Sequence, residues 1–184
     1  MEIYQPSDDS YLFADFLKKE LPKLIKKNKH LKFLDVGTGS GILSKTASEF
    51  LPPKNIIALD INPNAVRTLQ KEKFKTIQSD LFENIETKFD LIVFNAPYLP
   101  FDSREPASSQ LATTGGKRGD EISLKFLRQA KQHLNPNGKI LLLISSLTPL
   151  DKIKKFNSTT VARKKIFIEE LLILEFNQTP TIFK

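Results

Sequence analysis

Short apolar runs alternate along most of the chain with longer stretches in which apolar residues recur at helical spacing. This alternation is typical of βαβ units built on a parallel sheet. The fourth apolar run contains one charged residue only and is predicted to be buried on both faces of the sheet. The runs predicted to be the first five strands comprise residues 32–36, 55–60, 74–79, 89–94 and 139–145.

The stretches between these runs are predicted to be helices. One helix opens at residues 7–9, with Ser7 as its N-cap, and another follows Gly41. A third is capped by Asn62 and begins at Pro63, which suits a first helical position. A fourth is capped by Asp120 and ends at the turn 135–138. A short basic helix at residues 151–156 then leads into two strands, 159–163 and 170–176, which lack an intervening helix and are predicted to form a hairpin-like edge.

Residues 99–119 show no periodicity and include two prolines and three glycines. Connections of this length are uncommon in compact domains and tend to be functional or disordered. The segment directly follows the most specific motif in the sequence. We therefore predict that it is a substrate loop.

The composition is that of a soluble globular protein, with 40% hydrophobic and 27% charged residues among 184. We expect one domain spanning residues 1–184, without a signal peptide or a membrane-spanning helix, in the cytoplasm. The chain has no cysteine, and His30 and His133 lie far apart. A bound metal is therefore not expected.

The net charge of +7 is concentrated in the first and last forty residues. Such basic regions speed encounters with RNA or with an RNA-bound partner. They are also consistent with a lysine-rich solvated surface, which is the simpler interpretation, and the sequence leaves both open.

The segment 35–41, Asp-Val-Gly-Thr-Gly-Ser-Gly, ends the first predicted strand and begins a helix, where a doubly wound sheet binds its nucleotide. A dinucleotide fingerprint would require glycine at the position of Ile42. Asp35 is a poor neighbour for a pyrophosphate but suits the ammonium and sulfonium groups of S-adenosylmethionine. We therefore predict that Asp35, Gly37 and Gly39 contact this cofactor.

Two further carboxylates end predicted strands. Asp60 lies at the distance from the glycine segment at which an acid accepts hydrogen bonds from ribose hydroxyls. Asp80 is placed to accept the adenine amino group, while the backbone N–H of Leu81 meets a ring nitrogen. Each of these carboxylates has a purely structural alternative: Asp60 could cap the following helix, and Asp80 could form a turn.

The most specific motif follows the buried fourth strand. A planar amide nitrogen is a poor nucleophile, so an enzyme that methylates it must hold both N–H groups and leave the lone pair facing the methyl group. The Asn95 side-chain carbonyl and a backbone carbonyl nearby could do this, while Tyr98 supplies a flat wall. The predicted catalytic and substrate-binding residues are Asn95, Ala96, Pro97 and Tyr98.

Tyr4-Gln5-Pro6-Ser7-Asp8-Asp9-Ser10 precedes the first strand. Helix capping by Ser7, with Asp8 and Asp9 favoured by the helix dipole, explains the acids but not Tyr4 or Pro6.

Taken together, these motifs resemble the HemK-like glutamine methyltransferases, and most closely the short archaeal and eukaryotic branch that modifies class I release factors. The family's opening motif matches residues 4–10, its acidic glycine motif 35–41, its Asp-Ile-Asn-Pro motif 60–63, and its Gly-Gly-x-x-Gly segment 115–119. Ala96 replaces the first proline of the family's Asn-Pro-Pro-Tyr. The resemblance implies that residues 95–98 hold the target glutamine and that the cofactor contacts are Ser10, Asp35, Gly37, Asp60, Asp80, Leu81 and Asn95.

The resemblance also implies a Rossmann-like class I α/β fold. Its seven-stranded, mostly parallel sheet has the order 3-2-1-4-5-7-6, with helices on both faces. A small zinc-ribbon activator subunit would dock at the sheet edge formed by residues 74–79, because an exposed edge invites a partner strand. The substrate would be the glutamine of the Gly-Gly-Gln motif in a release factor.

Two alternatives remain open. Asn-x-Pro-Tyr equally fits the exocyclic amine of adenine, which would make the chain a nucleic-acid N6-adenine methyltransferase. The chain could also be a non-catalytic cofactor-binding subunit, although it carries a full set of cofactor and acceptor residues.

Overall fold

The computed structural model describes residues 2–177 and contains one seven-stranded sheet. The residues outside this range, 1 and 178–184, belong to the predicted domain but are not described. The strand order is β3-β2-β1-β4-β5-β7-β6, which confirms the order that the family resemblance implied. The strands are β1 Phe33–Val36, β2 Ile56–Asp60, β3 Lys75–Gln78, β4 Phe89–Asn95, β5 Leu134–Ser145, β6 Ser158–Ile166 and β7 Glu169–Asn177.

The first five strands are parallel, and β7 pairs antiparallel with both β5 and β6. The predicted closing hairpin is therefore confirmed. The helices are α1 Asp8–Lys27, α2 Ile42–Ser48, α3 Pro63–Leu69, α4 Ala107–Thr113 and α5 Glu121–Ala130, with 3-10 helices at Pro53–Asn55, Lys131–His133 and Ile153–Phe156.

The sheet separates two hydrophobic clusters. On one face, α1 and α2 pack against alternate strand residues such as Leu91 and Val93. On the other face, α5 packs against Ile92 and Phe94. The apolar residues of β4 thus alternate between two covered faces, and helices lie on both sides of the sheet, as predicted.

The segment 99–119, predicted to lack periodicity, contains the seven-residue helix α4. The helix was not predicted because polar contacts stabilise it, and it has no apolar stripe that would give a helical pattern in the sequence. The Glu105 carboxylate accepts hydrogen bonds from the hydroxyls of Ser109, Thr113 and Thr114.

Several predicted boundaries and caps also differ. The fourth predicted helix ends at Ala130, and β5 begins at Leu134 rather than at residue 139, because residues 135–138 form an irregularity within the pairing of β4 and β5. The predicted helix at 151–156 is a 3-10 helix. Ser7 and Asp120 precede their helices as predicted, but neither side chain accepts a capping hydrogen bond, whereas Asn62 accepts one from the Asn64 N–H.

Candidate active site

A cavity of about 400 Å³ opens at the carboxyl ends of β1, β2 and β4. The parallel strands bring these ends to one edge of the sheet, where open α/β folds bind their ligands. The glycine segment and Asn95 therefore share one cavity, as the predicted function requires. The cavity is lined by every residue predicted to contact cofactor or substrate: Ser10, Asp35, Gly37, Gly39, Asp60, Asp80, Leu81, Asn95, Ala96, Pro97 and Tyr98.

The loop between β1 and α2 turns tightly beneath this cavity. Its Thr38 N–H donates to the Leu59 carbonyl at the end of β2, at 2.9 Å. Gly37 has a φ of 61°, and a side chain there would come within 2.8 Å of the Phe94 ring. Only glycine fits this position, because it tolerates both the left-handed backbone and the close approach.

Asp35 is buried near the carboxyl end of β1, and one of its two carboxylate oxygens accepts three hydrogen bonds. Its Oδ2 accepts hydrogen bonds from Thr38 Oγ1 at 2.7 Å, Ser44 Oγ at 2.7 Å and Ser44 N at 3.1 Å. Its Oδ1 has no hydrogen-bond partner among the described residues, although it is buried. A buried, unpaired carboxylate oxygen on a residue that lines the cavity suits a cationic ligand, so the site fits the ammonium end of S-adenosylmethionine.

Burial raises the pKa of Asp35 to about 6, and the three hydrogen bonds oppose this rise. The carboxylate is therefore charged at neutral pH without a neutralising partner. Thr38 and Ser44, which hold it, were not predicted as site residues. Thr38 lies inside the glycine motif and could have been identified there, but Ser44 gives no signal in the sequence.

Asp60 holds the glycine loop and the following turn together. Its Oδ2 accepts from Gly39 N and its Oδ1 from Asn62 N, each at 2.8 Å. Each oxygen keeps a further lone pair, so the carboxylate can still accept ribose hydroxyls. Burial raises the pKa of Asp60, and these backbone hydrogen bonds oppose the rise.

Asp80 lies at the open rim of the cavity. Its Oδ2 accepts from Lys125 Nζ at 2.8 Å, a contact that the sequence did not predict. The neighbouring Leu81 is buried and has a φ of 49°, a left-handed conformation that is uncommon for a residue of this size. The predicted adenine contacts thus lie together, with Lys125 fixing the carboxylate.

The Asn95 side chain is held in one orientation by α1. Its Nδ2 donates to Asp9 Oδ2 at 3.1 Å and to Ser10 Oγ at 3.5 Å. A carboxylate only accepts hydrogen bonds, so the amide nitrogen must face Asp9. The carbonyl oxygen Oδ1 then points away from α1, buried and without a partner among the described residues.

Asp9 was not predicted as a site residue, yet it is the centre of this network. It is 5% exposed, and besides Asn95 it accepts from the Tyr4 hydroxyl at 3.0 Å, from Ser10 N at 2.6 Å and from Ser10 Oγ at 3.1 Å. The motif at residues 4–10 carried the signal. Helix capping accounted for its acids, and the sequence could not show that Asp9 turns inward while Asp8 stays exposed.

Residues 96–98 line the cavity beside Asn95. The Tyr98 backbone carbonyl accepts a hydrogen bond from Thr148 Oγ1 at 3.1 Å. The Tyr98 side chain packs against both core clusters. Burial, followed by the negative charge of Asp9, raises the pKa of Tyr98. Burial and Asp9 likewise raise the pKa of Tyr4. Neither phenol can therefore act as a base at neutral pH.

The glycines of the predicted substrate loop pack directly on this motif. A side chain at Gly115 would come within 2.6 Å of the Pro97 carbonyl, and one at Gly119 within 2.6 Å of the Tyr98 carbonyl. The Gly115 N–H donates to the Leu99 carbonyl at 2.9 Å. The loop thus stabilises the backbone that follows Asn95.

Among residues 2–177, no cluster of histidine, cysteine, aspartate or glutamate could hold a metal ion. Within the same range, no helix is both long enough and apolar enough to cross a membrane.

Comparison with known proteins gives a consistent assignment. Residues 12–168 match the methyltransferase small domain family. A putative protein N5-glutamine methyltransferase of Methanocaldococcus jannaschii is 38% identical, over 94% of this chain and 90% of that protein. Human methyltransferase HEMK2 is 27% identical, over 97% of this chain and 91% of its own length.

A solved structure shares the fold. E. cuniculi Mtq2, in a complex with Trm112 that methylates the eRF1 translation termination factor, superposes with a TM-score of 0.74 at 21% identity. The match covers 97% of this chain and 100% of that one.

Proposed function

The chain belongs to the methyltransferase small domain family, and we propose that it methylates the side-chain nitrogen of the Gly-Gly-Gln glutamine in a class I peptide chain release factor. It is an enzyme whose cofactor is S-adenosylmethionine, which supplies an electrophilic methyl group when bound. The names of its relatives support the choice of acceptor, because the Methanocaldococcus jannaschii protein is named as a glutamine methyltransferase. Such a substrate would place the enzyme in the cytoplasm.

The observation that carries the proposal is the fixed orientation of Asn95. Its unpaired Oδ1 can accept one N–H of the incoming amide, and a backbone carbonyl of residues 96–97 the other. With both N–H groups held, the amide plane is fixed and the nitrogen lone pair faces the methyl group. Alignment of this kind can lower a barrier by several kcal/mol without a strong base.

The surroundings of the acceptor agree with a mechanism that lacks a base. The phenols of Tyr4 and Tyr98 remain protonated at neutral pH. Bound S-adenosylmethionine would supply the methyl group to the acceptor nitrogen, and the proton that this nitrogen loses would pass to solvent. Ser10, Asp35, Asp60, Asp80 and Leu81 hold the cofactor in this proposal.

The deciding assay uses labelled S-adenosylmethionine with a release factor and with adenine-containing DNA and RNA. Label confined to the Gly-Gly-Gln glutamine supports the proposal. Label on adenine alone would favour the nucleic-acid alternative, and no transfer to any acceptor would favour a non-catalytic subunit.

Asn95→Ala tests the assigned acceptor contact. We expect this variant to lose turnover while it still binds S-adenosylmethionine. Asn177→Ala is the matched control. Asn177 is exposed at the end of the sheet opposite the cavity, where its backbone is paired with that of Lys139. Unchanged turnover in Asn95→Ala would remove Asn95 from the mechanism.

A small zinc-ribbon activator subunit completes the proposal. Two observations support it. Strand β3 forms one edge of the sheet and pairs only with β2 among the described residues, and the similar Mtq2 was solved with Trm112. A strand of the activator would add to β3. Light scattering that shows a monomer, together with efficient peptide methylation by that monomer, would refute this part of the proposal.

A further inference from the structure

The turn between β6 and β7 exposes two large apolar side chains. Ile166 and Glu169 are paired in register, so Phe167 and Ile168 alone form the turn. Their side chains are 94% and 93% exposed. Phe167 has a positive φ of 48°. Two-residue hairpin turns favour glycine or asparagine where φ is positive, because larger side chains are strained there. Local folding therefore does not favour this sequence, which points to a functional role.

The turn lies at the same end of the sheet as the candidate active site, where the parallel strands have their carboxyl ends. Leu171 of β7 is opposite Ser145, the last residue of β5, and the Ser146 N–H donates to the Glu170 carbonyl at 2.7 Å. At roughly 3.3 Å per residue, the tip extends about 10 Å beyond the strand ends. The tip therefore projects from the same end of the sheet as the cavity, with β5 between β7 and the cavity strand β4.

Two more exposed apolar residues lie around the base of the hairpin. Leu147, 47% exposed, is adjacent to Thr148, whose hydroxyl donates to the Tyr98 carbonyl. Tyr11, 55% exposed, lies one helical turn after Asp8, which accepts from Lys164 Nζ of β6 at 2.8 Å. We call Tyr11, Leu147, Phe167 and Ile168 the hairpin patch.

The charges beside the tip are mostly compensated within the chain. Lys164 pairs with Asp8, and Arg163 lies 3.8 Å from Glu170. Lys165 is exposed and makes no ion pair within the part of the chain that the structure describes. Glu169, which directly follows the turn, accepts a hydrogen bond from Ser145 Oγ and also makes no ion pair among residues 2–177. The hairpin patch is thus an apolar surface bordered by one unpaired positive charge, Lys165, and one unpaired negative charge, Glu169.

We infer that the hairpin patch docks the folded protein whose glutamine enters the active site, through an apolar surface that carries an acidic residue opposite Lys165. This inference rests on the proposed function. A cavity of about 400 Å³ has room for a cofactor and one side chain, so it cannot by itself distinguish one protein from another. Exposed aromatic and aliphatic anchors near the acceptor supply that selectivity.

The test replaces the tip without weakening the hairpin. The double variant Phe167→Gly, Ile168→Ser puts glycine where φ is positive, so the turn should form at least as well. We expect the KM for an intact release factor to rise about tenfold or more. Turnover of a short peptide that carries the same glutamine, and the cofactor Kd, should stay within about twofold of the wild type.

Two further variants refine the test. Lys165→Glu should also raise the KM for the intact protein and leave peptide turnover unchanged. Phe50→Ser is the control. Phe50 is 36% exposed and lies between α2 and β2, at the end of the sheet opposite the cavity. It should change neither value.

The outcomes separate this inference from the proposed function. If the wild type methylates the release factor and the double variant does so with the same KM, the docking role is wrong. Equal losses on protein and peptide would also overturn it, since the tip would then act on the acceptor site itself. A change confined to self-association or to activator binding would assign the patch to that partner instead. A wild type that methylates neither substrate would refute the proposed function, and the docking role with it.

Discussion

The amide nitrogen of Asn95 lies 3.1 Å from the carboxylate of Asp9, a residue 86 positions earlier in the chain. This contact joins the start of α1 to the end of β4. It fixes the orientation of the Asn95 amide, since only the nitrogen can donate to a carboxylate. Asp9 thus positions the Asn95 side chain, which is the proposed acceptor contact, and Tyr4 and Ser10 hold Asp9 in place.

Asp9→Asn should lower kcat by about tenfold to a hundredfold. An amide at position 9 can present its own N–H groups to Asn95, so the orientation of Asn95 is no longer fixed. The KM for peptide should change less than kcat, and calorimetry should show a cofactor Kd within about threefold of the wild type. Asp15→Asn, an exposed acid on the same helix, is the control. A kcat equal to that of this control would show that Asp9 does not position Asn95.

Asp35→Asn should weaken cofactor binding without unfolding the protein. The pKa of Asp35 is about 6 in the folded state against an ordinary 3.8, so the charged form is disfavoured by folding. The stability that this group contributes is therefore lost as pH rises from about 4 to about 6. At neutral pH the uncharged variant should have an equal or higher melting temperature, while its Kd for S-adenosylmethionine rises roughly tenfold or more. A clear drop in melting temperature would contradict this account.

The same carboxyl predicts a pH dependence of binding. A cationic ligand favours the ionised form, so the cofactor Kd of the wild type should rise as pH falls below about 6. Isothermal titration at several pH values would measure this. Asp35→Asn should show a flatter profile over the same range, and identical profiles would exclude Asp35 as the titrating group.

Gly115→Ala should reduce peptide turnover more than cofactor binding. The added methyl group would lie 2.3 Å from the Gly119 carbonyl and 2.6 Å from that of Pro97, so the packing of the loop on the backbone after Asn95 must change. We expect a loss of about tenfold in kcat/KM with the cofactor Kd nearly unchanged. Equal losses in both quantities would indicate general unfolding, which a melting curve would reveal.

Lys125→Met should have a small effect on the adenine end of the cavity. The Lys125–Asp80 ion pair is about half exposed, so its contribution to stability should be within about 1 kcal/mol. Loss of the lysine frees the Asp80 carboxylate to rotate, and the cofactor Kd should rise about twofold to fivefold. A larger effect would mean that Lys125 contacts the ligand directly.

Hydrophobic periodicity predicted the layers of this fold because the sheet is buried on both faces. In β4, Leu91 and Val93 pack on one face while Ile92 and Phe94 pack on the other, so both faces of this strand are covered. The positions of the residues proposed to bind the cofactor could also be predicted from the sequence. Asp35 is the penultimate residue of β1 and Asp60 the last residue of β2, and the carboxyl ends of these parallel strands lie side by side.

Other features depended on contacts that the sequence does not reveal. Helix α4 is held by Glu105 through hydroxyl groups and carries no apolar stripe. The pairing of Lys125 with Asp80 joins residues 45 positions apart. The extension of β5 back to Leu134 depends on pairing with Phe89. In each case a distant part of the chain supplies the partner.

The sequence by itself determined which residues end the strands and therefore which chemistry gathers at the carboxyl edge. The tertiary structure alone decided that Asp9 turns inward to hold Asn95 while Asp8 pairs with Lys164 on the surface. Strand periodicity is a local property, because backbone geometry alternates the side chains between two faces. The orientation of a buried amide depends instead on which donors and acceptors the folded chain brings to it.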